Sequence, residues 1–371
     1  YLNYNILKYF ENKSKFALVF LFNNYILVMN KIFMQVPDEY GCGFYRAKSP
    51  AINCFSELSK EGCYIDYNRD LTSDEIGYSS YIFHRVPSES LTFHIDMLKQ
   101  KGKKIVMQLD DDIWSIPDWM PSEERNYWGL DKALDLADQI WVSTERLKKK
   151  INRPNTKVLP NLIDTNFFPR LAPKDDPIRI MWCGGRSHEK DLEMLIEPIN
   201  KLLMEYGNRI QMVFWGYIPT GLLDFYRVPG TMQAMVKPKA EYGETVWYLE
   251  GLPFRNFYDK LSQIRPYIAL CPLVDCEFNR CKSNLKFLEM VAASSACIAS
   301  NIEPYKCIEH GRDGLLVDNS PESWYNAIKL LIEDRDLRDS IANNSYEKVY
   351  SEYSWQSSKK NLWVDAFKSL I

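Results

Sequence analysis

Residues 265–318 read RPYIALCPLVDCEFNRCKSNLKFLEMVAASSACIASNIEPYKCIEHGRDGLLVD. An apolar run, Tyr267 to Leu273, is followed by a polar loop. An amphipathic segment carrying Lys282, Ser283, Lys286 and Glu289 comes next, then a second apolar run, Cys297 to Ser300. A turn at Gly311 to Gly314 leads into a third run, Leu315 to Val317. The order is strand, loop, helix, strand, with polar groups gathered where the first strand ends and the helix begins. In an open α/β sheet that is where ligands sit. A helix N-terminus also favours an anion such as pyrophosphate.

The same alternation continues outward in both directions. Strands are expected at Arg179 to Cys183 and Ile210 to Trp215, with a helix from His188 to Tyr206 between them. Residues 216–250 read as irregular, and Pro253 to Ile264 as helical. Helices follow at Pro321 to Ile332 and Asp336 to Tyr350. Upstream, strands are expected at Lys31 to Val36, Tyr64 to Tyr67, Tyr81 to His84, Lys104 to Leu109, Ile140 to Ser143 and Lys157 to Leu159. Helices are expected from near Ser49-Pro50, since proline suits a first turn, and at Glu89 to Lys101, Leu130 to Ala137 and Thr144 to Ile151. Strands alternating with helices indicate a doubly wound parallel sheet.

Length and composition fit two such units. The chain has 371 residues, 46% hydrophobic and 26% charged, with a net charge of −3. That balance is ordinary for a globular protein and implies no strong field for a polyanion. Nine cysteines without repeated spacing suggest reduced thiols rather than a disulfide framework. Cys271, Cys276 and Cys281 fall at five-residue steps, which fits no common zinc spacing. Residues 1–28 hold no Gly, Pro or Asp, and Met29 opens a natural first strand. They read as upstream sequence, the alternative being a helix packed on the domain or on a membrane surface. The expected division is 29–165 for a first domain, 166–177 for a linker and 178–353 for a second domain. A last amphipathic segment, 354–371, completes it.

Four constellations carry candidate chemistry. In WCGGRSHEKDLEML, Gly184 and Gly185 permit close backbone approach to a ligand. Arg186 and Lys190 there suit phosphate charge, and His188 sits near a helix start. A turn with solvated charges is the bland alternative. In EFNRCKSNLKFLE, Lys282 and Ser283 suit pyrophosphate oxygens. Lys286 and Glu289 also have the spacing of an i,i+3 ion pair. Glu277 and Asn279 stand on the loop, within reach of a sugar or simply solvated. In GCGFYRAKSP, Gly41 and Gly43 flank a loop after the first strand. Tyr45 would stack on a sugar and Arg46 would supply a cation; a core aromatic and a surface arginine are the alternative. In LDDDIWSIPDWMP, Asp110 to Asp112 suit acceptor hydroxyls or a catalytic base, with His84-Arg85 on the same wall; a divalent metal site of a metal-dependent transferase is a further alternative. A capping cluster, Asp110 to Asp112, is the competing account. Ten tryptophans and 23 tyrosines suit a sugar cleft, but most belong to a core.

The segment KFLEMVAASSACIASNI, with GRDGLLVD after it, resembles the nucleotide-sugar half of GT-B glycosyltransferases, in the family 4-like group. The similarity spans most of 178–335 and, more loosely, 30–165. Two positions depart from the family pattern: Cys281 stands where a glutamate is common, and Ser294 where a glycine follows the helix. The resemblance implies two Rossmann-like domains facing across a cleft, with the last helix crossing back to the first domain. It implies glycosyl transfer from a nucleoside diphosphate sugar to a glycan, lipid, protein or modified-DNA acceptor, with retention and without a metal or other cofactor. Glu289 would hold the donor's ribose. Arg186, Lys282 and Asp110 would be catalytic, and Gly184, Gly185, His188, Lys190, Glu277, Asn279 and Ser283 would contact the donor. Gly43, Tyr45, Arg46, His84 and Asp111 would line the acceptor side. A cytoplasmic enzyme, extending to peripheral contact with the inner membrane face, is the matching placement. The competing expectation is a non-catalytic nucleotide- or carbohydrate-binding protein on a decayed scaffold of the same fold.

Overall fold

The computed structural model describes residues 30–68, 77–85, 89–120, 129–165, 177–226 and 235–371. The expectations for residues 1–28 and for most of the 166–177 linker lie outside these. Two parallel six-stranded sheets form the molecule. The first runs in the order β2-β1-β3-β4-β5-β6. Its strands are β1 (Asn30–Gln35), β2 (Cys63–Asn68), β3 (Ser80–His84), β4 (Lys104–Leu109), β5 (Gln139–Val142) and β6 (Thr156–Val158). The interior strands are buried along nearly their whole length around an apolar centre, as β3 and β4 show. Parallel strands covered by helices on both faces demand that.

The second sheet runs β11-β8-β7-β12-β13-β14. Its strands are β7 (Ile178–Cys183), β8 (Ile210–Trp215), β11 (Val246–Leu249), β12 (Ile268–Cys271), β13 (Ala296–Ser300) and β14 (Leu315–Val317). Between β8 and β11, β9 (Leu223–Tyr226) and β10 (Met235–Pro238) pair as an antiparallel ribbon. The expectation of irregular structure across 216–250 is therefore corrected. The strand Val246–Leu249 is four residues long and bounded by Gly243 and Gly251, too short for a pattern to show. Its pairing with β8 supplies what local propensity does not.

The first helical stretch also begins earlier than expected. Residues 41–60 form one continuous helical run, with a wide turn at Phe44–Lys48 leading into α1 (Ser49–Lys60). The wide turn lies directly before Pro50, which lacks the N–H that a regular i→i−4 bond needs. The Asp38 carboxylate starts the run by accepting from the Tyr40 and Gly43 amides at 2.8 and 3.0 Å. Gly43 is required by contact with the chain itself: a Cβ there would lie 1.9 Å from the Asp38 carbonyl oxygen. The GCGFYR segment is thus a helix start rather than a loop.

Further helices cover the sheets: α2 (Glu89–Gln100), α3 (Leu130–Leu136), α4 (Glu145–Ile151), α5 (Glu189–Tyr206), α6 (Phe257–Ile264), α7 (Glu277–Cys281), α8 (Leu285–Ala292), α9 (Pro321–Glu333) and α10 (Arg335–Tyr353). The chain end, α11 (Lys360–Lys368), lies against the first sheet. Trp363 and Phe367 meet Trp141 edge-on, and the Trp363 indole donates to the Pro160 carbonyl at 2.9 Å. Within the expected 354–371 segment, nine residues form the regular helix. Trp355 before them is fixed by its indole bond to Ser49 Oγ at 2.8 Å.

The domains meet through named contacts. Phe44 of the first stacks on Phe254 of the second, ring centres 4.0 Å apart. Arg146 pairs with Glu277 at 2.8 Å, and the Asn161 amide donates to Ser283 Oγ at 2.9 Å. Cys281, fully buried, packs into the core of the first domain, and its carbonyl accepts from Thr144 Oγ1 at 2.9 Å. The position where the related pattern has a glutamate is used here for domain packing.

Candidate active site

A cavity of about 630 Å³ opens between the carboxyl ends of the two sheets. That is ample for a small-molecule ligand of nucleotide-sugar size. From the second domain it is walled by the β7 exit (Cys183, Gly184, Gly185), His188, Gly216, and the start of α8 with Lys282, Ser283, Lys286 and Glu289. From the first domain come Asp38, Cys42, Arg85, Asp110, Asp111 and Asn161.

The second-domain wall is shaped by close backbone packing. Gly216, after β8, has φ +93°, and a Cβ there would lie 2.4 Å from the Gly184 carbonyl oxygen. The Gly184 amide donates to the Trp215 carbonyl at 2.9 Å, so the two strand exits close on each other. His188 donates from Nδ1 to Asp191 at 2.7 Å, which leaves Nε2 as its other ring nitrogen. Burial lowers its basicity; the Asp191 bond opposes that and Lys282 and Lys286 add to it, leaving the shift downward. The ring is therefore neutral near pH 7.

No described side chain caps the first turn of α8. Its amides stay available at the cavity edge, where Lys282 and Lys286 also stand. Lys286 lies 3.9 Å from Glu289. Burial works against its charge, but Cys183 and Glu289 more than offset that and raise it. Glu289 is 7% exposed. Burial pushes its carboxyl up, against the pull of Lys286 and of the Tyr45 hydroxyl.

Charges on the first-domain wall are tied to one another. Arg85 donates from Nε to Asp110 at 2.8 Å and from Nη2 to Asp111 at 2.7 Å. It holds a left-handed backbone, φ +45°, costly for a residue with a side chain and typical of functional sites. Burial alone would push the Asp110 carboxyl up; Arg85 and His84 reverse that and hold it well below the usual carboxylate range. Cys42 donates to Asp110 at 3.0 Å, and burial followed by Asp110 keeps it a thiol. Lys282 reaches across to Asp111 at 3.3 Å, closing the network between the domains.

The structure brings Gly184, Gly185, His188, Lys282, Ser283, Glu289, Asp110 and Asp111 to one cavity. Other expected site residues it places elsewhere. The Arg186 side chain is 77% exposed and lies outside the cavity wall, near Glu189 at 3.9 Å. Lys190 pairs on the surface with Glu193 at 2.5 Å. The 3₁₀ turn Arg186–His188 rotates both away from the cavity and turns His188 and Ser187 inward. Glu277 is held by Arg146 at the domain interface. Asn279, 4% exposed, donates to Asp191 and to the Val274 carbonyl and so braces the loop. Tyr45 and Arg46 are each 1% exposed. Arg46 donates to the Leu159 carbonyl at 2.7 Å and to Asn161 at 3.1 Å, tying helix to strand end rather than facing a ligand. His84 stands behind the wall, bonded through Nδ1 to Gln108 at 3.2 Å. Gly43 is sealed by Asp38, as described.

Lys286, given from spacing as an ion-pair partner, is both that and a cavity cation. Asp38, Cys183 and Asn161 were not anticipated, because only the fold carries them to the site. Away from the cavity, Asp112, Glu277 and Cys281 come together between the domains. Lys150 and Arg146 already neutralise the two carboxylates there, at 3.4 and 2.8 Å. Among the described residues, no helix is long and apolar enough to cross a membrane. All nine cysteines are free.

Residues 177–334 match the family described as glycosyl transferases group 1. An uncharacterised glycosyltransferase of Methanocaldococcus jannaschii is 23% identical over 205 residues, 55% of this chain. The chain covers 48% of that relative, about half its length. Among solved structures, Anabaena HepE in complex with UDP-glucose superposes with a TM-score of 0.62 at 13% identity, over 91% of this chain and 99% of that one. Sucrose-phosphate synthase from Thermosynechococcus elongatus gives a TM-score of 0.60 at 13% identity, over 92% and 99%. The chain thus has the GT-B fold, and the match to glycosyl transferases group 1 lies in its second domain.

Proposed function

We propose that this protein transfers a sugar from a nucleoside diphosphate sugar, a uridine diphosphate sugar first, to a hydroxyl acceptor, with retention and without an essential metal. One observation carries the reading. Lys282, Lys286 and the uncapped start of α8 surround one buried carboxylate, Glu289, at the end of the second sheet. Cations and amides suit a diphosphate; a carboxylate with two acceptor oxygens suits the two ribose hydroxyls. As the bond from sugar carbon to diphosphate oxygen breaks, the electron pair stays on the diphosphate. Lys282 and Lys286 are placed to stabilise that charge, which is largest in the transition state. HepE has been solved with UDP and with UDP-glucose, which supports uridine as the base.

The first-domain wall supports a class of acceptor. Three carboxylates, Asp38, Asp110 and Asp111, face the cavity with one guanidinium, Arg85. Such a wall repels anionic acceptors and offers hydrogen-bond acceptors to neutral hydroxyls, as on a glycan. Thermal unfolding with UDP, GDP, ADP, dTDP and CDP, each with and without a chelator, tests the reading. A ligand that binds the folded state raises the midpoint. The expected result is a chelator-independent shift largest with UDP, and an axial-or-equatorial assignment by NMR of the product reads the stereochemistry. No shift with any nucleotide would sink the proposal.

A further inference from the structure

Asn161 follows β6 in the first domain, is 4% exposed and lines the cavity together with Ser283 of the second. Its amide has a fixed sense. Arg46 carries donors only, so the atom it meets at 3.1 Å is the Asn161 oxygen. The Asn161 NH2 is thereby turned the other way, across the domain interface, and donates to Ser283 Oγ at 2.9 Å. Arg46 is itself held in place. It donates to the Leu159 carbonyl at 2.7 Å, and its guanidinium lies 4.8 Å from the centre of the Trp363 ring on α11. The same indole donates to the Pro160 carbonyl at 2.9 Å, so the chain end and a buried cation together hold residues 159–161. Arg46 Nε and Nη2 have no hydrogen-bond partner among the described residues, which makes this cation a costly brace for an ordinary loop.

We propose that Asn161 is a positioning residue that aims the Ser283 hydroxyl proton at the diphosphate of the nucleotide sugar, so that the first domain completes the phosphate site of the second. This rests on the diphosphate lying at the start of α8, as in the function proposed above. A serine hydroxyl has one proton and two acceptor lone pairs. Accepting from Asn161 uses a lone pair and leaves the proton, which has no acceptor among the described residues. Ser283 lines the cavity with Lys282 and Lys286, the two cations that draw a phosphate oxygen there. A proton given to that oxygen makes a charge-assisted bond, stronger than a neutral one. A group at position 161 that could only accept would do the reverse: it would take the Ser283 proton and leave lone pairs facing an anion.

Calorimetric titration of the full chain with UDP, and with uridine as the ligand lacking phosphate, tests this. The chains compared are the wild type, Ser283→Ala, Asn161→Asp, Asn161→Leu and the double variant Asn161→Leu/Ser283→Ala. Ser283→Ala should weaken UDP about tenfold, the worth of one hydrogen bond to a charged group. Asn161→Asp keeps the oxygen that Arg46 bonds but can only accept, so UDP should weaken by about tenfold or more. Asn161→Leu frees the hydroxyl to rotate, and a loss of about threefold is expected. The double variant should bind UDP no more weakly than Ser283→Ala, because Asn161 acts through that hydroxyl. Uridine affinity should stay unchanged throughout. If the leucine chain folds poorly, Asn161→Asp with its uridine control decides. If the two single losses multiply in the double variant, or if uridine weakens along with UDP, Asn161 serves domain packing alone and the positioning role is overturned. UDP bound by Ser283→Ala as tightly as by the wild type would overturn it too. If the wild type itself binds no UDP, the reading of the site has failed instead, and the inference falls with it.

Discussion

The two walls of the cavity use charge in opposite ways. On the second-domain wall, Lys282 and Lys286 stand with an uncapped helix start around a single carboxylate, leaving net positive character for a ligand. On the first-domain wall, Arg85 is consumed by Asp110 and Asp111, and the surplus is negative. The difference teaches which wall takes which reactant. A diphosphate gains from the second-domain wall and is repelled by the first-domain wall, so under the proposed function the donor takes one orientation across the cleft. Lys282 spans both walls: bonded to Asp111 in this structure, it is the cation an incoming diphosphate must draw away.

The largest effect expected is therefore at Lys282 and Lys286. Alanine at either should reduce kcat/KM by about 10²–10³, the range for removing one group aimed at developing charge. Arg186→Ala should change it less than about threefold, because a side chain 77% exposed acts through screened solvent. Steady-state turnover of a uridine diphosphate sugar measures all three. An Arg186 loss as deep as that of Lys282 would mean that the 3₁₀ turn rearranges on binding and that the contrast between walls is incomplete.

A second test breaks the first-domain network. Arg85→Ala leaves Asp110 with His84 and the Cys42 thiol, and because the Arg85 side chain is 35% exposed the loss is about 1–2 kcal/mol, less than for a fully buried pair. The sign with pH follows from the depressed Asp110 carboxyl. In the wild type its pairing contributes stability above the ordinary value of 3.8, lost as pH falls through the lower folded value. Without Arg85 the carboxyl rises. Urea unfolding should thus show the largest gap between variant and wild type at neutral pH, narrowing below about pH 4. A gap constant with pH would show that Arg85 supports the wall by packing rather than by charge.

The contrast between the walls also explains what could be read from the chain alone. The polar second-domain wall comes mainly from two contiguous stretches, 178–190 and 268–300, in which strand, turn and helix start follow one another, with Gly216 added by the fold. Local pattern therefore located Gly184, His188 and Lys282, and the family resemblance added Glu289. The first-domain wall is assembled from strand ends far apart in sequence. Asp38 follows β1, Arg85 ends β3 and Asp110 ends β4, and only the parallel register brings them together. Spacing also does not tell which way a side chain faces. Arg186 and Ser187 are neighbours, and one 3₁₀ turn sends one to solvent and the other to the cavity. At Tyr45 and Arg46, polar atoms suggested a ligand, but the groups they meet are the Tyr258 hydroxyl and the Leu159 carbonyl of the same chain.

The smallest effect concerns the end of α8, the helix that carries Lys286 and Glu289. Ser294 closes it at φ +65°, where a left-handed residue completes the helix cap. The Ser295 amide reaches back to the Met290 carbonyl at 3.2 Å and the Ser294 amide to Val291 at 2.8 Å. A side chain in that conformation costs about 1 kcal/mol relative to glycine. The Ser294 hydroxyl adds to the cost, being buried without a hydrogen-bond partner. Glycine relieves both, against an entropy loss of about 0.5–1 kcal/mol on folding. Ser294→Gly should therefore stabilise the protein by about 1 kcal/mol, a rise in Tm of about 2–4 °C. UDP affinity should stay unchanged, since the cap lies at the far end of the helix from the cavity. A lower Tm would mean that the serine is held by a contact its backbone does not reveal. A change in UDP affinity would mean that strain stored at the cap is transmitted along α8 to Glu289, making the donor wall less rigid than its packing implies.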